Sequence, residues 1–386
     1  MKRVLIGVVF GVGIVWSIWV YLRSEMTDEC YWAGERGDYE RQVEACTDFI
    51  ETASIVGLDA AKLYNNRGRA YAALGRVREA LRDYNSAIEQ DASYVAAYLN
   101  RSTTYARLGS YERAEEDLAM AIGLQPGVAA LYLSRGYVRM AAEDYEGARE
   151  DFTAALALDP SMDEALLARA QAHFRSSRLE DAAADLEQAL ARGDQEARVH
   201  SLLGAVRLRQ GDPAAALGPF ERAAALEPER AVHQGNLGQA LLNLGRYAEA
   251  DVAFTRAIAL APDSAPYFVR RAQARRAAGR TAEATADLEA ALALAPENVA
   301  ALRDLARMAA EDGDSGAEIA ALDRLLALRP NDTGAHLAIA RAHLAQGHWA
   351  AALRHAAVAE TLDPAVAEEA RRLRDQATRA QDDSES

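Results

Sequence analysis

The chain is 386 residues long, half of them apolar, and carries a formal net charge of −15. That is ample apolar material for a packed core, while the acidic balance argues against a nucleic-acid binder, which usually shows a basic face. Lys2 and Lys62 are the only lysines; with so much alanine, the arginine bias reads as that of a GC-rich bacterial genome, so an arginine alone is weak evidence of a site.

Val4 to Leu22 are nineteen uncharged residues following Met1-Lys2-Arg3. As a helix they span about 28 Å, close to one bilayer core. Trp16, Trp19 and Tyr21 cluster at the far end, where amphipathic rings favour the headgroup region. No small-x-small cleavage site follows in VYLRSEMTDE, which favours a retained signal-anchor over residues 1–22 rather than a cleaved signal peptide. Lys2 and Arg3 precede the segment, whereas Arg23 is soon followed by Glu25, Asp28 and Glu29. The positive-inside rule then predicts a single-pass bacterial inner-membrane protein whose remaining residues are periplasmic.

From residue 61 a 34-residue unit recurs. In the copy Val95 to Val128, numbered 1 to 34, large residues fall at positions 4, 11, 17 and 24 (Tyr98, Tyr105, Tyr111, Leu118) and small ones at 8, 20 and 27 (Ser102, Ala114, Ala121). Gly109 supplies a turn at position 15, and Pro126 at position 32 cannot continue a helix. Prolines recur at Pro160, Pro228, Pro262, Pro296, Pro330 and Pro364, all at multiples of the same spacing. Position 20 is alanine at Ala80, Ala114, Ala148, Ala182, Ala216, Ala250, Ala284 and Ala352. This period and pattern resemble the tetratricopeptide repeat (TPR) family. Nine repeats in register fill residues 61–366, and the resemblance implies an all-α fold, a right-handed α–α superhelical solenoid of helix hairpins.

Residues 23–60 resemble a divergent first repeat, with Gly37 at position 15 and Tyr39 at position 17. That register puts Cys30 at position 8 and Cys46 at position 24, on facing helices of one hairpin. The pair is a disulfide candidate suited to an oxidising compartment; the alternative is two small buried thiols. Counting this hairpin as repeat 1, the nine regular copies are repeats 2 to 10.

Position 7 is arginine in five repeats (Arg67, Arg101, Arg135, Arg169, Arg271), and position 23 is aspartate in the same five (Asp83, Asp117, Asp151, Asp185, Asp287). Where one is missing, so is the other. The two positions are symmetric about the turn, so they are expected to form structural ion pairs within each hairpin. The middle is weaker: repeat 5 has Asp194 in place of its proline, and repeat 6 carries Gly218-Pro219 inside its second helix. A kink or soft hinge is expected between Gly193 and Phe220. Residues 367–386 read as a charged capping helix followed by a disordered acidic tail from Asp382.

No catalytic constellation emerges. Gly11-x-Gly13 opens no strand–helix turn, and neither a phosphate-binding GxxxxGK[ST] nor a paired CxxC is present. His336, His343, His348 and His355 fall in the last repeat, where core packing is favoured over a metal site. The reading is therefore non-enzymatic, with no cofactor. In the TPR family the first helix of each repeat lines a concave groove, and positions 2, 5, 6, 9, 12 and 13 commonly touch ligands. Carried over, these give an apolar strip (Leu99, Leu133, Tyr137, Met140, Leu167, Phe174, Leu202, Leu208) and a basic strip (Arg270, Arg276, Arg303, Arg307, Arg341). Together they suit an extended segment or amphipathic helix with an acidic end. One subclass grips C-terminal carboxylates; Asn236 and Arg270 match two of its clamp positions, while Ser201, Ala205 and Pro266 depart from it. The function expected is a membrane-anchored scaffold binding protein or peptide partners in the cell envelope. The alternative is a regulatory subunit of envelope assembly with cytoplasmic repeats. That layout resembles the lipopolysaccharide assembly protein B family, whose four-cysteine terminal domain is absent here.

Overall fold

The computed structural model describes residues 29–31, 33–52, 56–193 and 196–385, and among these there is no strand. The described residues fall into two compact units, divided between residues 194 and 195.

In the first unit the second helix of repeat 1 is Tyr39–Thr52. Repeats 2 to 5 follow as helix pairs: Leu58–Ala73 with Val77–Gln90, Val95–Arg107 with Tyr111–Leu124, Ala129–Ala141 with Tyr145–Leu158, and Asp163–Arg175 with Leu179–Ala191. In the second unit repeats 6 to 8 are Ala197–Arg209 with Pro213–Leu226, Ala231–Asn243 with Tyr247–Leu260, and Ala265–Ala277 with Thr281–Leu294. Repeats 9 and 10 are Val299–Glu311 with Ser315–Leu328 and Thr333–Ala345 with Trp349–Leu362. The last helix, Ala367–Glu385, packs on repeat 10.

The hairpins are closed by size matching. Position 8 is glycine in repeats 2, 4, 6 and 7, and there position 24 is aromatic: Gly68 with Tyr84, Gly136 with Phe152, Gly204 with Phe220, Gly238 with Phe254. A Cβ added at Gly136 would sit 2.4 Å from the Phe152 ring, and one at Gly204 would sit 2.6 Å from Phe220. Where position 8 is serine or alanine, position 24 shrinks to leucine (Leu118, Leu186, Leu288, Leu322) or alanine (Ala356). One contact thus holds its volume from repeat 2 to repeat 9 while the residues that make it change, and only repeat 10, with Ala340 against Ala356, departs from it. At position 15 most turns carry a glycine with positive φ, but repeats 4 and 5 place Glu143 (φ 63°) and Ser177 (φ 62°) there. The turn demands the left-handed conformation whichever residue occupies it.

Within each unit, the second helices of the regular repeats pack against the first helix of their own repeat and of the next. Successive first helices also touch, from repeat 2 to 5 and from repeat 6 to 9, whereas successive second helices do not. The first helices therefore line one face within each unit, and the second helices the opposite one.

Several expectations change. The single-pass inner-membrane location is corrected: among the described residues no helix is long and apolar enough to cross a membrane. The longest, Ala367–Glu385, is studded with charge. The Val4–Leu22 segment on which the membrane expectation rested lies outside the described residues. Asp382 does not begin an irregular tail, since the last helix runs to Glu385 with no glycine or proline to end it. Pro219 lies inside Pro213–Leu226 without interrupting it. The division between the two units falls where repeat 5 lacks its proline, inside the Gly193–Phe220 stretch.

Candidate functional site

The five arginine–aspartate pairs form forks. Arg67 donates from Nε and Nη2 to the two oxygens of Asp83, both at 2.8 Å. The closest approaches are 2.5 Å for Arg101–Asp117, 2.6 Å for Arg135–Asp151, 2.7 Å for Arg169–Asp185 and 2.6 Å for Arg271–Asp287. All five aspartates are buried. Hydrogen bonding to the aspartate raises the pKa of Arg67, Arg101 and Arg135 further above the ordinary guanidinium range.

The remaining arginine nitrogen reaches the preceding repeat. Nη1 donates to position 25 there: Arg67 to Thr47 Oγ1 (3.1 Å), Arg101 to Asn85 Oδ1 (2.6 Å), Arg169 to Thr153 Oγ1 (3.3 Å) and Arg271 to Thr255 Oγ1 (3.1 Å). Sequence reading missed a second set at position 11, a column otherwise read as aromatic. Arg139 joins Asp151 (3.0 Å) to Glu115 of repeat 3, and Arg275 joins Asp287 (3.0 Å) to Asp251 of repeat 7. In repeat 1, Cys30 and Cys46 are joined by a disulfide and fully buried.

Little of the apolar strip is free for a partner. Leu167 is buried at 3% exposure. Leu99, Leu133, Met140 and Leu208 pack against core clusters between repeats. Phe174 and Leu202 are half-buried. Tyr137 is exposed, stacked edge-on to Phe152 at 5.5 Å, with its hydroxyl donating to Glu164 at 3.1 Å. It borders a cavity of about 300 Å³ between repeats 3 and 4, where Ser102, Thr103 and Ser134 supply hydroxyls.

The basic strip already carries carboxylates. Arg276 pairs with Glu311 at 3.0 Å, Arg303 with Asp332, Arg307 with Asp304 and Arg341 with Glu369. Arg270 bonds the neutral Gln273 at 3.1 Å. Of the clamp-like residues, Asn236 donates to Ser201 at 3.3 Å. Between repeats 9 and 10 lies a cavity of about 550 Å³, ringed by Arg303, Arg307 and Arg341 and floored by Leu322 and Leu325.

The four histidines of repeat 10 pack together. His336 Nε2 donates to the Pro330 carbonyl at 3.0 Å, so its Nδ1 accepts from His355 Nδ1, also 3.0 Å away. The His343 ring lies 5.6 Å from that of His348 and 6.0 Å from that of His355. Among the described residues no group of three histidine, cysteine or acidic side chains has a geometry that could hold a metal ion.

Sequence models of the tetratricopeptide repeat match residues 65–129, 139–206, 234–264 and 269–333, more than half of the chain. The chain belongs to the TPR family. No curated protein sequence matches it. Among solved structures it is similar to a TPR protein from Parabacteroides merdae, at 18% identity and a TM-score of 0.51, over 65% of this chain and 98% of that one. It is also similar to a chain of the APC/C hetero-tetramer Cut9–Hcn1, at 18% identity and a TM-score of 0.50, over 78% of this chain and 59% of that one. The C-terminal part of a TPR protein from Cytophaga hutchinsonii aligns at 17% identity and a TM-score of 0.50, over 61% of this chain and 97% of that one. At such identities the likeness shows the fold alone. The TPR fold is that of a scaffold for protein–protein interaction.

Proposed function

We propose that this TPR chain binds a peptide segment of a partner protein on the face that the first helices build within a unit. One observation carries the reading. The size-matched contact and, in five repeats, the ion-pair fork are spent within the hairpins, while the first helices present exposed side chains beside cavities, Tyr137 in repeat 4 and Arg303, Arg307 and Arg341 in repeats 9 and 10. Extended peptides and helices are recognised on such a surface through a few anchoring side chains in pockets.

The reading is tested with photo-cross-linking residues placed singly at Tyr137 and Arg307 on the first-helix face, and at the exposed Arg222 and Arg256 on second helices. In cells expressing the full chain, a discrete cross-linked partner is expected from Tyr137 or Arg307 and not from Arg222 or Arg256. Equal capture from both faces, or capture from the second helices alone, overturns it.

A further inference from the structure

Repeat 9 breaks the two columns of alanine that set the closest approaches in this chain. Position 20 is alanine in the other eight regular repeats and Glu318 here; position 27 is alanine in the same eight and Leu325 here. The alanines of both columns are almost completely buried, between 0% and 1% exposed, because neighbouring helices close over them. Leucine at position 27 shares a core cluster with Ala335 and Ile339 of the next repeat. The first helices of repeats 9 and 10 meet at most glancingly, unlike their counterparts elsewhere in this unit. The space left is the cavity of about 550 Å³, within the range of sites that take small ligands or peptide side chains.

The charges of this cavity are unequally satisfied. Arg303, Arg307 and Arg341 each hold a carboxylate. Asp332 is fully engaged, pairing with Arg303 and accepting the Ala335 N–H at 3.0 Å as a helix cap. Burial alone would raise its pKa, but those two hydrogen bonds prevail and hold the carboxyl below the usual range. Glu318 is half-buried, and its carboxyl group makes no hydrogen bond or ion pair among the described residues. Burial pushes its carboxyl above the usual range, and only the field of Arg341 opposes this. Of the two carboxylates that line the cavity, Asp332 has its partners and Glu318 has none among the described residues, so the unmet demand of the cavity is for a cation.

We infer that this cavity receives a basic side chain, lysine or arginine, from a partner peptide. Its aliphatic stem lies over Leu322 and Leu325 and its charged head on Glu318. The inference rests on the reading that the first-helix face binds a peptide, and it names what one pocket of that face selects. The net charge of −15 favours the same occupant, since a basic segment is drawn toward this chain at long range. An acidic segment would share the three arginines with carboxylates already on them and would meet Glu318 at like charge. The basic strip, as built, is therefore a neutralised rim around an acidic seat.

The test uses the full chain with methyl-labelled leucine and alanine, titrated with three acetylated and amidated heptapeptides. These consist of alanine with a central lysine, norleucine or glutamate. The lysine peptide is expected to shift the methyl resonances of Leu322 and Leu325. Glu318→Gln should weaken it about tenfold or more, the size of a lost charge-assisted hydrogen bond. Norleucine in place of lysine should weaken it to the same extent. Glu318→Ala installs the residue found in eight other repeats, so it keeps the fold while removing the seat, and it should abolish the lysine preference. Equal binding of the lysine and norleucine peptides overturns the inference, as does preferential binding of the glutamate peptide, or no shift at Leu322 and Leu325 with any peptide. A partner cross-linked at Tyr137 without perturbing those two leucines would leave the scaffold reading standing and remove this one.

Discussion

Repeats 2 to 5 close every hairpin with an arginine and an aspartate, whereas among repeats 6 to 10 only repeat 8 does so. The others fill the same two positions with Leu203 and Pro219, Leu237 and Ala253, Leu305 and Ala321, and Ile339 and His355. The helix pairs nevertheless have matching boundaries. The joint therefore accepts two chemistries, as expected if an ion pair largely removed from water gains little over a packed apolar contact. What the ionic form adds is reach: its third nitrogen bonds the preceding repeat, which leucine cannot do.

The sharpest way to break the comparison is to convert one joint halfway. Arg101→Leu strands the buried carboxylate of Asp117 and is expected to cost about 3–5 kcal/mol. Combining Arg101→Leu with Asp117→Ala copies repeat 7 and should restore most of the loss in urea denaturation. A double variant no more stable than the single one would show that the two joints are not interchangeable.

The size-matched contact should be the same in both kinds of repeat. Gly136→Ala forces a methyl into the Phe152 ring and should cost about 1–3 kcal/mol. Adding Phe152→Leu recreates the pairing seen at Ala170 and Leu186, and thermal unfolding should then recover most of the stability. Additive losses would break the volume rule.

A smaller contrast lies in pH response. Burial lowers the pKa of His343 and His355 in repeat 10, reinforced by His348 for the former and by His336 and His343 for the latter. Asp323 partly opposes both and Arg354 adds to both. With the folded value below the unfolded one, the unfolded chain takes protons first as pH falls. The stability of repeat 10 is therefore full above about pH 6.5 and is lost as pH drops from there through the lowered folded values. Native-state hydrogen exchange should show repeat 10 opening more readily at pH 5.5 than at 7.5, with the repeat 3 joint changing less. His355→Ala, the residue type of repeats 7 and 9 at this position, should flatten that dependence.

The smallest effect expected is at the turns. Glu143→Gly relieves a left-handed residue of about 1 kcal/mol of strain, partly offset by a more flexible unfolded chain. A modest rise in melting temperature checks it.

What could be read from the sequence was whatever the repeats hold in common. The 34-residue register placed Gly109 and Pro126 in their structural roles, and the joint presence and absence of residues 7 and 23 brought Arg67 to Asp83 and Arg271 to Asp287. The basic strip was legible as residues, but its partners were not, because Asp332, Glu311 and Glu369 come from following helices and belong to no column. Leu167 was expected in a groove and lies in the core, at a position of the repeat that is also buried at Asn65, Val269 and Leu337. Glu318 and Leu325 went unnoticed for the opposite reason: they matter as exceptions. An alanine column interrupted once was the available signal.

The arginine that bonds position 25 of the preceding repeat makes order along the chain chemically meaningful. Excising repeat 4 would bring Arg169 against Ala119, which offers no oxygen, and that stitch would be dropped. Excising repeat 3 would give Arg135 the amide of Asn85 but leave Arg139 facing Leu81 in place of Glu115. Tandem units of equal length are thus not interchangeable beads. Each is written for its neighbour, and recombination that shuffles them would have to rewrite the seams.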